Sequence, residues 1–152
     1  MTRFAGGPTD SPGFLLWHVT LRWQRAMAQA LAPLGLTHVQ FVLLACAWWL
    51  NEHAAPPNQL ALARQAGTDV KMTSEVVRRL EARCLIERTT DPGDARAKVI
   101  RLTPQGLQSV ALAIAAVEDA DEAFFAPVAD GAQLTVLLRR LAAVPPYGEA
   151  KV

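Results

Sequence analysis

Apolar side chains recur at helical spacing along most of this chain, and they alternate at strand spacing over one short stretch near the middle. In "FLLWHVTLRWQRAMAQAL" (14–31), Leu16, Trp23, Met27 and Leu31 fall on one stripe, and Pro33 and Gly35 end it. Thr37 with Gln40 three residues later is a capping box, and Leu36 with Phe41 can clasp across it. A second helix is therefore predicted from about Thr37 to about Glu52. It is apolar on nearly every side, which predicts a buried central helix. "HAAPPN" is a linker, Asn58 caps "QLALARQA", and Gly67 is a natural terminator. Asp69 then caps "VKMTSEVVRRLEA", with Val76, Val77 and Leu80 apolar. "LIERTT" and "KVIRLT" are strand-like runs around the turn-rich "DPGDARA". Thr103 caps a long helix with Pro104 at its first position, and a 3.6 rhythm runs from Leu107 through Val110, Ile114, Val117 and Asp121 to Phe124 and Phe125. A last helix opens at Asp130 and carries Leu134, Leu137, Leu138 and Leu141 on one face.

The order is four helices, a hairpin and two helices. Two short helices joined around Gly67 form a helix-turn-helix, and a hairpin directly after it is a wing. The predicted fold is mainly α with a small β-hairpin wing, a winged helix-turn-helix flanked by N- and C-terminal dimerisation helices. Residues 1–13 are expected as a flexible start, 14–143 as one domain and 144–152 as a tail. Within the domain, 14–36 and 104–143 form the dimerisation helices and 37–103 the winged helix-turn-helix.

Composition supports a folded core, since 51% of the 152 residues are apolar. The longest apolar run, "FVLLACAWWL", is too short for a bilayer, and "MTRFAGGPTDSPG" lacks a signal layout, so a soluble cytoplasmic protein is expected. The formal charge of +1 hides a split. Residues 57–103 carry nine Lys/Arg against six Asp/Glu, while the remainder carries six against eight. A basic module in an acidic frame suits a polyanion. Cys46 and Cys84, with His18, His38 and His53, match no metal or redox spacing, and no cofactor is expected.

The two basic elements suit duplex DNA. The major groove admits a helix, and short polar side chains near that helix's start bring the backbone close. Lys71, Thr73, Ser74, Arg78 and Arg79 supply such a face. On the wing, Arg96 can enter a minor groove, Asp94 can hold its guanidinium, and Lys98 stands behind for phosphate. A second copy of the chain is expected to cover Phe124, Phe125, Leu137, Leu138 and Leu141. A solvated amphipathic helix and an ordinary polar turn are the plainer readings of each element alone.

"LTHVQFVLL", "TSEVVRRLEARCLIER" and "DPGDARAKVIRLTPQG" together resemble the MarR family (multiple antibiotic resistance regulators) over about residues 14–143, the last through its D-x-R and L-T-x-x-G pattern. One departure is visible: Cys84 stands where the family usually has Gly after the reading helix, which implies strain or a different turn. The resemblance implies a homodimeric transcriptional regulator, often a repressor, on a pseudo-palindromic operator. It also implies release by a small aromatic or phenolic ligand held between the dimer and DNA-binding regions. Candidates for that ligand site are Trp17, His18, Trp23 and His38, near the junction of the first two helices; the plainer reading is that these are core aromatics and a helix-start residue. No Cys lies in residues 1–45, so oxidant sensing from the first helix is not expected, and an inert Cys84 is the simpler reading. Two other functions compete with this one. A winged-helix protein-interaction module without DNA binding would have a neutralised reading helix, yet Lys71, Arg78 and Arg79 remain. A small Cys-dependent enzyme would need a positioned base, and none is placed: His38 lies eight residues before Cys46, about 12 Å along a helix.

Overall fold

The structure, a computed structural model, describes residues 3–144. Its helices are α1 (Pro12–Leu31), α2 (His38–His53), α3 (Gln59–Ala66), α4 (Val70–Ala82), α5 (Pro104–Phe125) and α6 (Gly131–Ala142). Between α4 and α5, β1 (Ile86–Asp91) and β2 (Asp94–Leu102) pair antiparallel, with Ile86 opposite Leu102 and Thr90 opposite Lys98. The expected order of elements is therefore present. The start differs from expectation: residues Gly7–Asp10 form a 3-10 turn, and α1 begins at Pro12 because the Ser11 hydroxyl accepts from the Phe14 N–H. The expected tail lies outside the described residues except for Val144.

Local chemistry explains the boundaries. Thr37 and Gln40 form both bonds of the capping box on α2. The side chains of Asn58, Asp69, Thr103 and Asp130 each accept a backbone N–H in the first turn of the helix they precede, satisfying donors that have no partner within the helix. Gly35 and Gly67 take left-handed conformations that end the preceding turns.

The core forms around α2. Its Leu43, Leu44 and Ala47 are buried against Met27 and Leu31 of α1, Leu62 of α3, Val76, Val77 and Leu80 of α4, Ile100 of β2, and Val110, Ala113 and Val117 of α5. One apolar cluster thus joins the helix-turn-helix to the long helix α5. The linker is sewn to the wing, since the Ile100 N–H donates to the Pro57 carbonyl (2.8 Å) and the Asn51 amide donates to the Ile100 carbonyl (3.1 Å). Among the described residues no single helix is long and apolar enough to cross a membrane.

A tight corner joins α4, the wing and α5. The Leu85 N–H donates back to Leu80 (3.0 Å), which reverses the chain through Cys84 at φ +56°. This is the strained position that the missing glycine foreshadowed. The Leu85 carbonyl then accepts from the Thr103 N–H (3.2 Å), and the Thr103 hydroxyl donates to the Cys84 carbonyl (2.6 Å). Gly106 lies against the same Leu85 carbonyl, and a Cβ there would sit 1.8 Å from its oxygen. Two substitutions test this corner by urea unfolding at fixed protein concentration. Cys84→Gly removes a left-handed non-glycine residue and raises stability by about 1 kcal/mol. Gly106→Ala forces the carbonyl aside and lowers stability by roughly 1–3 kcal/mol.

Candidate nucleic-acid interface

Helix α4 divides sharply into two faces. Thr73, Val76, Val77 and Leu80 point into the core, whereas Lys71, Glu75, Arg78 and Arg79 are exposed and Ser74 is half-exposed. Thr73 was expected on the reading face, and the structure corrects this. Its side chain is 0% exposed, and its hydroxyl donates to the Asp69 carbonyl (2.8 Å) and pairs with the Thr68 hydroxyl (2.8 Å). Thr73 falls on the same side of the helix as Val76, Val77 and Leu80, so it fastens the turn between α3 and α4 instead of reaching outward.

The cations near α4 separate into tied and free groups. Arg79 pairs with Glu75 one turn earlier, an exposed contact that solvent and salt easily exchange. Arg88 of β1 holds Glu81 through its Nε (3.0 Å), and those hydrogen bonds hold the Glu81 carboxyl below its usual range. Arg83 donates to the Gly35 carbonyl (2.8 Å) and so ties the end of α4 to the turn before α2. Among the described residues Arg78 makes only a long bond along its own helix, to the Ser74 carbonyl (3.4 Å). Lys71 is exposed in the first turn, and among the described residues it has no ion pair.

At the wing tip, Asp91 accepts from the Gly93 N–H (2.8 Å). Asp94 accepts from the backbone N–H of Arg96 (2.9 Å), not from its guanidinium as expected. A carboxylate two residues before a backbone donor closes a local turn, and that geometry is shorter than a reach to the guanidinium. Asp94 therefore shapes the loop that carries Arg96. The Arg96 side chain is left exposed, without an ion pair among the described residues. Lys98 stands opposite Thr90 and donates to its hydroxyl (3.0 Å).

The four effector candidates fall into two places. Trp17 is 62% exposed, and His18 is exposed with its ring 4.4 Å from that of Phe14, so both lie on the open face of α1. Trp23 and His38 come together, with ring centroids 4.9 Å apart, and the indole N–H of Trp23 donates to Asp121 of α5 (2.7 Å). Burial pushes the His38 pKa down, and the nearby Asp121 carboxylate opposes that shift. Asp121 was expected only as a position on the 3.6 rhythm of the long helix, and its bond to Trp23 was not foreseen.

One helical turn further along this seam a cleft of about 960 Å³ opens. Phe41, Ala45, Trp48 and Trp49 of α2 and Ile114 and Val117 of α5 line it, with Arg64, Glu118 and Arg139 among its polar groups. Cys46 also faces the cleft, and burial pushes its thiol up to about 11, which makes it a poor nucleophile. The tryptophan pair was missed because an all-round apolar helix gives no sign of which side stays open. Of the residues expected at a dimer interface, Phe124 and Phe125 are half-buried and meet edge to face with centroids 5.0 Å apart. Leu137, Leu138 and Leu141 of α6 are exposed, Leu141 by 79%.

A helix-turn-helix with a cationic outer face, followed at once by a wing with an exposed arginine, defines a winged-helix regulator. The comparisons with known proteins carry this further. Residues 36–98 match the model of the MarR family. The HTH-type transcriptional regulator YdcH of Bacillus subtilis is 47% identical over 120 residues, which is 79% of this chain and 82% of that protein. The crystal structure of CouR from Rhodococcus jostii RHA1 bound to p-coumaroyl-CoA matches with a TM-score of 0.80 and 32% identity, covering 91% of this chain and 96% of that one. The repressor CouR bound to a 23-mer DNA duplex matches with a TM-score of 0.75 and 26% identity, covering 94% and 99%. This chain belongs to the MarR family of transcriptional regulators.

The His38 environment makes a testable statement about pH. The folded state lowers the pKa of this group below the ordinary 6.5, so folding favours the neutral ring. That contribution is intact above the unfolded value and is lost as pH falls below it. Urea midpoints are therefore expected to drop between pH 7.5 and 5.5, and His38→Gln is expected to flatten that slope.

Proposed function

We propose that the protein is a dimeric repressor that reads a two-fold-symmetric DNA site and lets go when an aromatic acid or its thioester fills the cleft between α2 and α5. The observation that carries the DNA reading is the division among the cations. Arg79, Arg83 and Arg88 are engaged within the fold, while Lys71 and Arg78 on α4 and Arg96 on the wing tip are exposed without an ion pair among the described residues. In this reading α4 enters a major groove, with Lys71 and Arg78 toward phosphates and base edges and Ser74 close to the backbone. Arg96 enters the adjacent minor groove, and Lys98 contacts phosphate. The likeness to CouR on a DNA duplex supports it.

Dimerisation follows from unburied apolar surface. The helix α6 has no buried residue, and Leu15, Leu16, Trp17 and Val19 of α1 are also exposed. So much apolar area at the two ends of the chain is expensive to leave in water, and a second copy would cover it with Phe124 and Phe125 at the margin. Two α4 helices about 34 Å apart would then meet successive major grooves. The effector reading rests on the cleft: indole and phenyl walls suit an aromatic ring, and Arg64 and Arg139 suit its acidic group. The likeness to CouR holding p-coumaroyl-CoA agrees with this ligand class. His38 of α2 and Asp121 of α5 stand one turn beyond the cleft, and Trp23 of α1 meets both there, so this group can couple filling of the cleft to α1. A thiolate enzyme is disfavoured, because burial raises the Cys46 pKa instead of lowering it.

Selection of duplexes from a random pool tests the reading, and a two-fold-symmetric consensus is the expected result. On a selected duplex, Arg96→Ala weakens binding by roughly tenfold or more, while Arg139→Ala leaves DNA affinity nearly unchanged and weakens release by ligand. Titration by fluorescence anisotropy at fixed salt checks both.

A further inference from the structure

Lys71, Glu75, Arg78 and Ala82 follow one another at spacings of four, three and four along α4, so they form a single exposed stripe. That stripe lies opposite the buried one of Thr73, Val76, Val77 and Leu80, and it is the line of the helix farthest from the core. A carboxylate in its middle is out of place on a face that meets phosphates, because it repels them. Yet the Glu75 side chain is 54% exposed there, with Lys71 one turn before it and Arg78 one turn after it. Its Oε1 accepts from Arg79 Nη2, and among the described residues its Oε2 takes no hydrogen bond. Glu75, Arg78, Arg79 and Ala82 border one shallow hollow of about 330 Å³.

We infer that Glu75 reads a cytosine in the major groove, its free carboxylate oxygen accepting from the N4 amino group, with Arg79 as the positioning residue that holds the carboxylate. The inference rests on the DNA reading above and names one base that α4 selects. An ionised carboxylate only accepts, so its match is a base edge that only donates. Cytosine is that base, since its major-groove edge presents the N4 amino group and no acceptor. Adenine sets N7 beside its amino group, and guanine and thymine present acceptors, all of which a carboxylate repels. The centre of the outward stripe also enters the groove deepest, where base edges lie, while phosphates lie toward its flanks. The Arg79 guanidinium takes one carboxylate oxygen and limits the directions open to the other, which lessens the freedom lost on binding. In open water this pair exchanges readily, and exclusion of water from the groove strengthens it.

The test uses the full chain and the duplexes it selects from a random pool. One C·G pair in each half-site is expected to be required. Its replacement by T·A, which sets an acceptor against the carboxylate, costs about tenfold in affinity by fluorescence anisotropy. In Glu75→Ala that penalty falls below about twofold, and the other positions of the consensus keep theirs. Glu75→Gln still accepts from Arg79 and also donates, so it admits adenine at this position through N6 and N7. Arg79→Ala lowers the cytosine preference there and nowhere else. Both residues are exposed, so circular dichroism should show the helices intact. A consensus that Glu75→Ala leaves unchanged at every position overturns the inference and leaves the DNA reading standing, as does a Glu75→Gln variant that still demands cytosine. An undiminished preference in Arg79→Ala overturns the positioning role. Failure to select any duplex overturns both the inference and the DNA reading.

Discussion

The Leu85 carbonyl is the point on which the working parts of this molecule turn. It accepts from Thr103 and presses against Gly106, while Leu85 itself closes the reversal after α4. Three elements leave this corner: α4 behind it, the hairpin beside it and α5 ahead of it. Their mutual angles set where a helix and a wing tip can meet a rod-shaped partner, so an error of one backbone conformation here would misplace both. Cys84 bears a left-handed conformation at this corner that glycine would adopt without strain.

The central helix α2 extends that rigidity to the rest of the chain. Its apolar faces join α1, α3, α4, β2 and α5 in one cluster, so the reading region cannot shift without disturbing the seam between α2 and α5. The same seam carries the polar group of Trp23, Asp121 and His38 and then the open cleft. A ligand that wedges the seam would act on the packing that positions α4. Under the proposed function this would give a physical route from effector to DNA that needs no separate relay.

Much of this was legible in the residues. Thr37, Asn58, Asp69, Thr103 and Asp130 are caps whose side chains bond locally, so sequence neighbours alone determine them. The missing glycine at Cys84 pointed to the positive φ found there. What escaped depends on which way a short side chain turns or on partners far along the chain. Thr73 and Ser74 read alike in sequence, but helical phase sends one into the core and leaves the other half-exposed. Asp94 was expected to hold the Arg96 guanidinium, but the backbone N–H of Arg96 takes it. Trp23 meets Asp121 across 98 residues, and Trp48 and Trp49 line a cleft whose opposite wall belongs to α5.

Hydroxyl-radical footprinting of the protein on a selected duplex tests the central claim most directly, because it maps the elements held at the Leu85 corner onto the two grooves. The account predicts two equivalent protected regions about one helical turn apart, each with a flanking minor-groove protection that Arg96→Ala removes. A single protected patch, or a minor-groove protection indifferent to Arg96, would contradict it.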